Sequence, residues 1–273
     1  MENSLKCSIA KTSLKKLFPY DHPSKKLWSE TSSVEPYPPG VTSVPEQIPG
    51  TSFFPGGSGI WCEDASEVPQ LPVGGVMVLG HDFHSVAGYE WSRLNLAENL
   101  RSPTWHHLLS FLREVPIALD ECFFTNIYMG LREGPATTGR FPGSRDLAFV
   151  ERCRLFFSRQ LQAQRPRLIL TLGAFVPPFL APLSPQLSDW AIWRGFRKVD
   201  LAGLSTVAAA SFTDANHFCA LATLTHPCFR PANVSRRSWQ SFNGKSAELE
   251  MVRQVWNNGA PSDPRVTTCP APQ

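Results

Sequence analysis

Three polar side chains in this sequence each follow a short apolar run. Asp82 stands in Gly80-His81-Asp82-Phe83-His84-Ser85, just past Val76-Met77-Val78-Leu79. Asn126 follows Cys122-Phe123-Phe124-Thr125, and His226 opens His226-Pro227-Cys228-Phe229-Arg230 after the run from Ala220 to Thr225. A carboxylate can orient and partly deprotonate water, and in a dry cleft it can also stabilise a developing cation. An amide offers both a donor and an acceptor, and a neutral imidazole can donate to a group on which charge appears. Each residue alone has an ordinary structural use: an Asp after a strand caps helices, an Asn fills turns, and a His before Pro satisfies a local hydrogen bond. Their shared placement at strand ends is what makes them a candidate set.

The elements that would hold them alternate along the chain. Val76 to Leu79, Cys122 to Thr125, Leu168 to Leu172 and Ala220 to Thr225 read as buried strands, the third closed by Gly173. Leu108, Leu109, Phe111 and Leu112 form one helical pattern, and Phe149, Cys153, Phe156 and Leu161 another. Apolar strands separated by helices predict a three-layer α/β/α sandwich with a central parallel sheet of about four strands. Ligands bind beyond the carboxyl ends of such strands. Asp82, Asn126, His226 and the Gly173-Ala174-Phe175 turn would therefore converge on one crevice.

The 273 residues, 42% hydrophobic and 18% charged, suit one globular domain with irregular ends. Residues 1–47 hold Lys15-Lys16, Lys25-Lys26 and a Pro-rich run, and are expected to be a poorly ordered basic arm. Residues 48–258 would form the domain and 259–273 a flexible tail. The net charge of +3 fits nucleic acid but is no electrostatic footprint by itself. Seven cysteines are scattered singly, without a C-x-x-C pair, which favours free thiols in a reducing cytoplasm. No signal peptide or membrane span is read, so a soluble, cytoplasmic, monomeric protein is expected. His106 and His107 are neighbours whose side chains would diverge by about 100° on a helix, so no metal site is expected.

Taken in order, these segments resemble the motifs of the uracil-DNA glycosylase superfamily over roughly residues 48 to 255. GHDFHS at 80–85 is similar to the family's Gly-Gln-Asp-Pro-Tyr-His motif, FFTN at 123–126 to the strand whose Asn reads uracil, and LTHPCFR from Leu224 to its His-Pro motif. The stretch from Cys153 to Ala174 looks like the helix and strand before the family's Leu-Gly turn. His81 stands where Gln is common, Phe83 replaces Pro, and His84 takes the place of a Tyr that helps exclude thymine. Cys153 matches one iron-sulfur position of some branches in outline, but its partners are missing, so no cofactor is expected.

The resemblance implies a DNA glycosylase acting in base excision repair of DNA damage. Such an enzyme flips out uracil or a related deaminated base, hydrolyses its N-glycosidic bond and leaves an abasic site. Asp82 and His226 would be catalytic. Asn126 would read the base, in a pocket formed with Gly80, His81 and Phe83 and walled by Tyr89 or Trp105, with Trp91 a further stacking candidate. Arg230 would wedge into the duplex, with Arg236 and Arg237 contacting DNA. Two alternatives remain open: a non-catalytic DNA-damage-binding protein on the same fold, and a nucleoside or nucleotide hydrolase.

Overall fold

The computed structural model describes residues 23–48, 51–54 and 72–258. In chain order these form α1 (Pro23–Ser29), a 3-10 turn at Thr31–Val34, β1 (Val41–Thr42), β2 (Val76–Ser85), α2 (Val86–Asn95), α3 (Pro103–Leu112) and β3 (Cys122–Arg132). There follow α4 (Leu147–Gln164), β4 (Leu168–Leu172), α5 (Val176–Leu180), α6 (Phe196–Leu201), β5 (Thr206–Phe212) and β6 (His217–Leu224). The last elements are α7 (Arg230–Asn233), the small β7–β8 ribbon (Ser238–Trp239 and Phe242–Asn243) and α8 (Lys245–Asn257).

Six strands make one mostly parallel sheet in the order β1-β3-β2-β4-β6-β5. The four central strands are those whose apolar runs mark them, and they pair in parallel, with Val76 opposite both Cys122 and Leu168, and Leu168 opposite Ala220. The two additional strands close the edges antiparallel, β1 against β3 and β5 against β6. Alternation along the strands fills two cores. Met77, Leu79, Phe123 and Ile169 join Phe149, Phe156 and Phe157 of α4 on one face. Val76, Val78, Phe124 and Leu170 join Leu108 and Phe111 of α3 and Val252 of α8 on the other. Because both faces are covered, the central strands are apolar throughout, and the molecule is an α/β/α sandwich.

Helix starts follow the sequence closely. Ser85 caps α2 by accepting from Gly88 N–H, Ser102 caps α3 ahead of Pro103, and Asp146 caps α4 by accepting from Phe149 N–H at 2.9 Å. Among the described residues Asp82 caps no helix.

The region expected as a disordered arm is corrected from Pro23 to Gln47. This segment carries α1 and β1, and Leu27, Val34 and Val41 are buried. The Pro-rich stretch has few donors of its own, but Arg152 of α4 supplies them, donating to the carbonyls of Val34 at 3.0 Å and Pro36 at 2.6 Å. The remainder of the arm with Lys15-Lys16, and the tail from Gly259, lie outside the described residues. Among the described residues no helix is long and apolar enough to cross a membrane.

Candidate functional site

Along the chain, β2 is followed by β3 on one side of it, and β4 and β6 then extend the sheet on the other. The strand order thus reverses between β2 and β4, where a crevice opens in sheets of this kind. Pairing of β2 with β4 stops at Leu79 opposite Thr171, while β2 and β3 run on together with a register shift between Asp82 and His84. The GHDFHS motif is therefore a strand extension overhanging the end of β4, not a loop. The resulting cleft, of about 610 Å³, is lined by Gly80, His81, Asp82, Asn126, Arg132 and His226 among others. The three predicted polar groups do meet in one place.

The Asp82 carboxylate is not free. Arg132, at the end of β3, grips it at two points, Nε to Oδ1 at 2.9 Å and Nη2 to Oδ2 at 2.8 Å, and His81 Nδ1 lies 2.8 Å from Oδ2. Burial by itself would raise the Asp82 carboxyl. The hydrogen bonds and charges of Arg132 and His81 outweigh it, and the group titrates below its ordinary value. Arg132 also donates to the carbonyls of Thr138, Gly139 and Arg140, which ties the segment after β3 to the same corner.

His226 sits in the turn after β6. The backbone N–H of Cys228 donates to its Nδ1 at 3.2 Å, which leaves the proton of the neutral ring on Nε2. Burial above all, with His81 nearby, pushes its pKa down to about 4, so the imidazole is neutral at pH 7. Gly173 makes room for it. That residue has φ of 90°, and a Cβ there would come within 3.0 Å of His226 Cβ.

Asn126 is 3% exposed, and among the described residues nothing hydrogen-bonds its amide. It stands opposite Gly80, where a Cβ would fall 2.3 Å from Asn126 Oδ1. Glycine at 80 is therefore what lets the amide reach the cleft. At the end of β6, in the same cleft, the buried Thr225 hydroxyl has no partner among the described residues. An unpaired buried donor or acceptor costs about 1–3 kcal/mol, so the Thr225 hydroxyl is poised for a polar ligand, and the Asn126 amide faces the same cleft.

The aromatic residues divide. Tyr89 is 1% exposed, and its hydroxyl exchanges hydrogen bonds with the backbone of Glu46. Trp105 donates to Glu98 at 2.7 Å and packs between Phe53 and Phe124. Both line the cleft, but their rings are largely committed to neighbours, as is that of half-buried Phe83, which packs near Tyr89. The open rings of the cleft are Trp91, Phe175 and Phe229, 43%, 44% and 46% exposed. Phe175 stacks on the His81 ring at 4.7 Å. His84 lies in the same wall, with Nδ1 accepting from Ser85 N–H.

The arginines expected to meet DNA are corrected in two of three cases. Arg230 is 8% exposed, ion-paired with Glu248, with its guanidinium over the Phe111 ring. Arg237 is 1% exposed and bridges Asp200 and Glu248. Both bind carboxylates inside the protein, so neither can wedge into a duplex in this conformation. Arg236 is exposed. The exposed side chain beyond His226 is Phe229.

Sequence reasoning placed the Phe175 turn at the crevice but missed Arg132 and Thr225 as parts of the site, and gave Phe175 and Phe229 no role in it. Arg132 carries a readable signal, since a lone cation ending the apolar run Ile127 to Leu131 demands an internal acid. His107 points its Nδ1 at the Pro227 carbonyl, 2.9 Å away, and among the described residues no group of three or more His, Cys, Asp or Glu side chains is placed to hold a metal ion. No protein-family model matches the chain, and no curated protein is significantly similar to it.

Proposed function

We propose that the protein is a DNA glycosylase that hydrolyses the N-glycosidic bond of uracil, or of a related deaminated base, and leaves an abasic site. The observation that carries this reading is the unpartnered amide of Asn126, nearly fully buried yet facing a cleft that also holds the Nε2–H of neutral His226 and the Asp82–His81 pair. Asn126 accepts from uracil N3–H and donates to O4, while His226 donates to a carbonyl oxygen on which negative charge grows as the base departs. Cytosine presents the opposite edge and leaves both groups unpaired. The open rings of Trp91, Phe175 and Phe229 suit stacking with unpaired or flipped bases. The reading takes the protein as a monomer acting on DNA in the cytoplasm without a cofactor. The four described cysteines are free, as a reducing compartment allows.

A second reading, a damage-binding protein that does not hydrolyse, is favoured by one observation: both carboxylate oxygens of Asp82 are already occupied. Incubation with oligonucleotides bearing uracil, hypoxanthine, xanthine or a mismatch, followed by alkaline cleavage, separates the two. Excision of uracil or another deaminated base is expected. In Asn126→Asp, which replaces the donor by an acceptor, the preference should shift toward cytosine. Tight binding to these strands without cleavage would favour the damage-binding reading. An unchanged base ranking in the variant would remove Asn126 from base recognition.

A further inference from the structure

Resting on the glycosylase reading above, we infer that His81, not Asp82, takes the proton from the attacking water, and that Asp82 is its positioning residue. Three of the roughly four acceptor sites of Asp82 are taken. Oδ1 receives Arg132 Nε, and Oδ2 receives both Arg132 Nη2 and His81 Nδ1, at 2.8 Å each. A carboxylate held in a guanidinium fork is a weak base with no free edge on that side. An ionised carboxylate can only accept, so the short contact to His81 places a proton on Nδ1 and leaves the lone pair of the neutral ring on Nε2. Among the described residues nothing partners Nε2. The ring plane is fixed by Phe175 stacked on it at 4.7 Å and by Tyr128 and Phe141 at its edges, 5.4 and 6.4 Å away. A carboxylate that fixes the tautomer of a histidine base is the arrangement of hydrolytic triads, here with water in place of the serine.

The step balances without any further reactant. The water oxygen bonds to the sugar C1′ and its proton passes to His81 Nε2. The C1′–N bond breaks with its electron pair leaving on the base, whose carbonyl oxygen is held by His226 Nε2–H. The proton on His81 then returns through solvent to the departed base. Asp82 stays ionised throughout, stabilising first the tautomer and then the imidazolium. Arg132 balances the resting charge. The charged and titratable groups around His81 are Asp82 on its own strand, Tyr128 from β3, Arg132 on the far side of Asp82, and His226 from the turn after β6.

The test is single-turnover excision from a uracil-containing oligonucleotide by the full chain, comparing wild type, His81→Ala and Asp82→Asn, with added imidazole or formate at constant ionic strength. His81→Ala should be slowed 10²- to 10⁴-fold, as losing a general base typically does, and imidazole should restore at least tenfold of the loss. Asp82→Asn, which keeps an acceptor for Nδ1–H, should lose less and respond to neither additive, while the downfield proton resonance of His81 Nδ1 weakens. If His81→Ala does not fold, as judged by circular dichroism, His81→Gln must show the same loss. A His81 variant within twofold of wild type, or one that imidazole does not rescue, overturns the inference, as does rescue of Asp82→Asn by formate. Absence of excision by wild type from every strand would instead sink the glycosylase reading, and this inference with it.

Discussion

Two clusters in this molecule use the same chemistry, an arginine fork closed on a carboxylate, and differ in what the carboxylate does with its remaining capacity. Arg237 meets Asp200 through Nε and Nη2, at 2.9 and 3.0 Å, and Glu248 through Nη1 at 2.7 Å. Asp200 then accepts from Ser205 and the Ser238 backbone, and Glu248 from the Thr225 backbone. Arg237, Asp200 and Glu248 are fully buried, Glu248 also pairs with Arg230, and the remaining acceptor capacity goes to the protein's own backbone and the Ser205 hydroxyl. Arg132 meets Asp82 with the same two-point grip, but the last contact of Asp82 goes to His81 at the wall of the cleft. The first cluster holds the strand end before His226 in place. The second presents a histidine to whatever enters. Geometry at the arginine is shared, so the role is decided by the final donor to the carboxylate.

The largest effect expected from this contrast is on stability. Arg237→Met should lose about 3–5 kcal/mol, because Asp200 is left as an uncompensated buried charge and Glu248 keeps only Arg230. Arg132→Met should lose less, since Asp82 is 10% exposed and can recruit water from the cleft, but it should damage excision more. Urea unfolding of both variants, monitored by circular dichroism, measures the difference. Equal losses in stability would erase the distinction between a closed and an open cluster.

How much of this was legible in the sequence follows from the same contrast. Apolar runs such as Leu168 to Leu172 name the central strands because both faces are covered, so burial shows in every residue. The edge strands escape: Val41–Thr42 is too short to carry a pattern, and Thr206–Phe212 is rich in alanine and partly exposed. Asp82, Asn126 and His226 were visible because each follows such a run. Their partners were not, because Arg132 is 50 residues from Asp82 and only the parallel register brings the two together. For Arg230 and Arg237 the sequence misleads outright. A basic stretch reads as a surface until Asp200 and Glu248, distant along the chain, are seen to claim it.

A smaller effect should appear in the polar half of the cleft. Gly80→Ala places a methyl group on Asn126 Oδ1, and the backbone pairing of β2 and β3 leaves it no easy way aside. The amide must turn. Excision should fall about 10- to 100-fold, equivalent to about 1.4–2.7 kcal/mol, with the melting temperature changed by a few degrees at most. A full-rate Gly80→Ala enzyme would mean that the amide orientation does not matter to the reaction.

The smallest effect concerns His226 and is read as acid sensitivity. Its folded pKa of about 4 lies below its ordinary value of 6.5, so between those values the unfolded chain binds a proton that the folded chain refuses. Stability must therefore fall as pH drops from about 6.5 to about 4 and then level off for this group. The full shift would correspond to about 3 kcal/mol, and partial exposure of the ring reduces the expectation to about 1–2 kcal/mol. Asp82 works in a separate window. Its carboxyl is depressed below 3.8, so its contribution is intact above that value and is lost only as pH falls further. Chemical denaturation of wild type and His226→Gln at pH 7, 5 and 4 isolates the first window. The variant should lose about 1–2 kcal/mol less than wild type between pH 7 and 4, and the two should run parallel below that. A wild type that gained stability relative to the variant as pH fell would mean that His226 is charged in the folded protein. It would then meet the leaving base as a cation rather than as the neutral donor that the Cys228 hydrogen bond prepares.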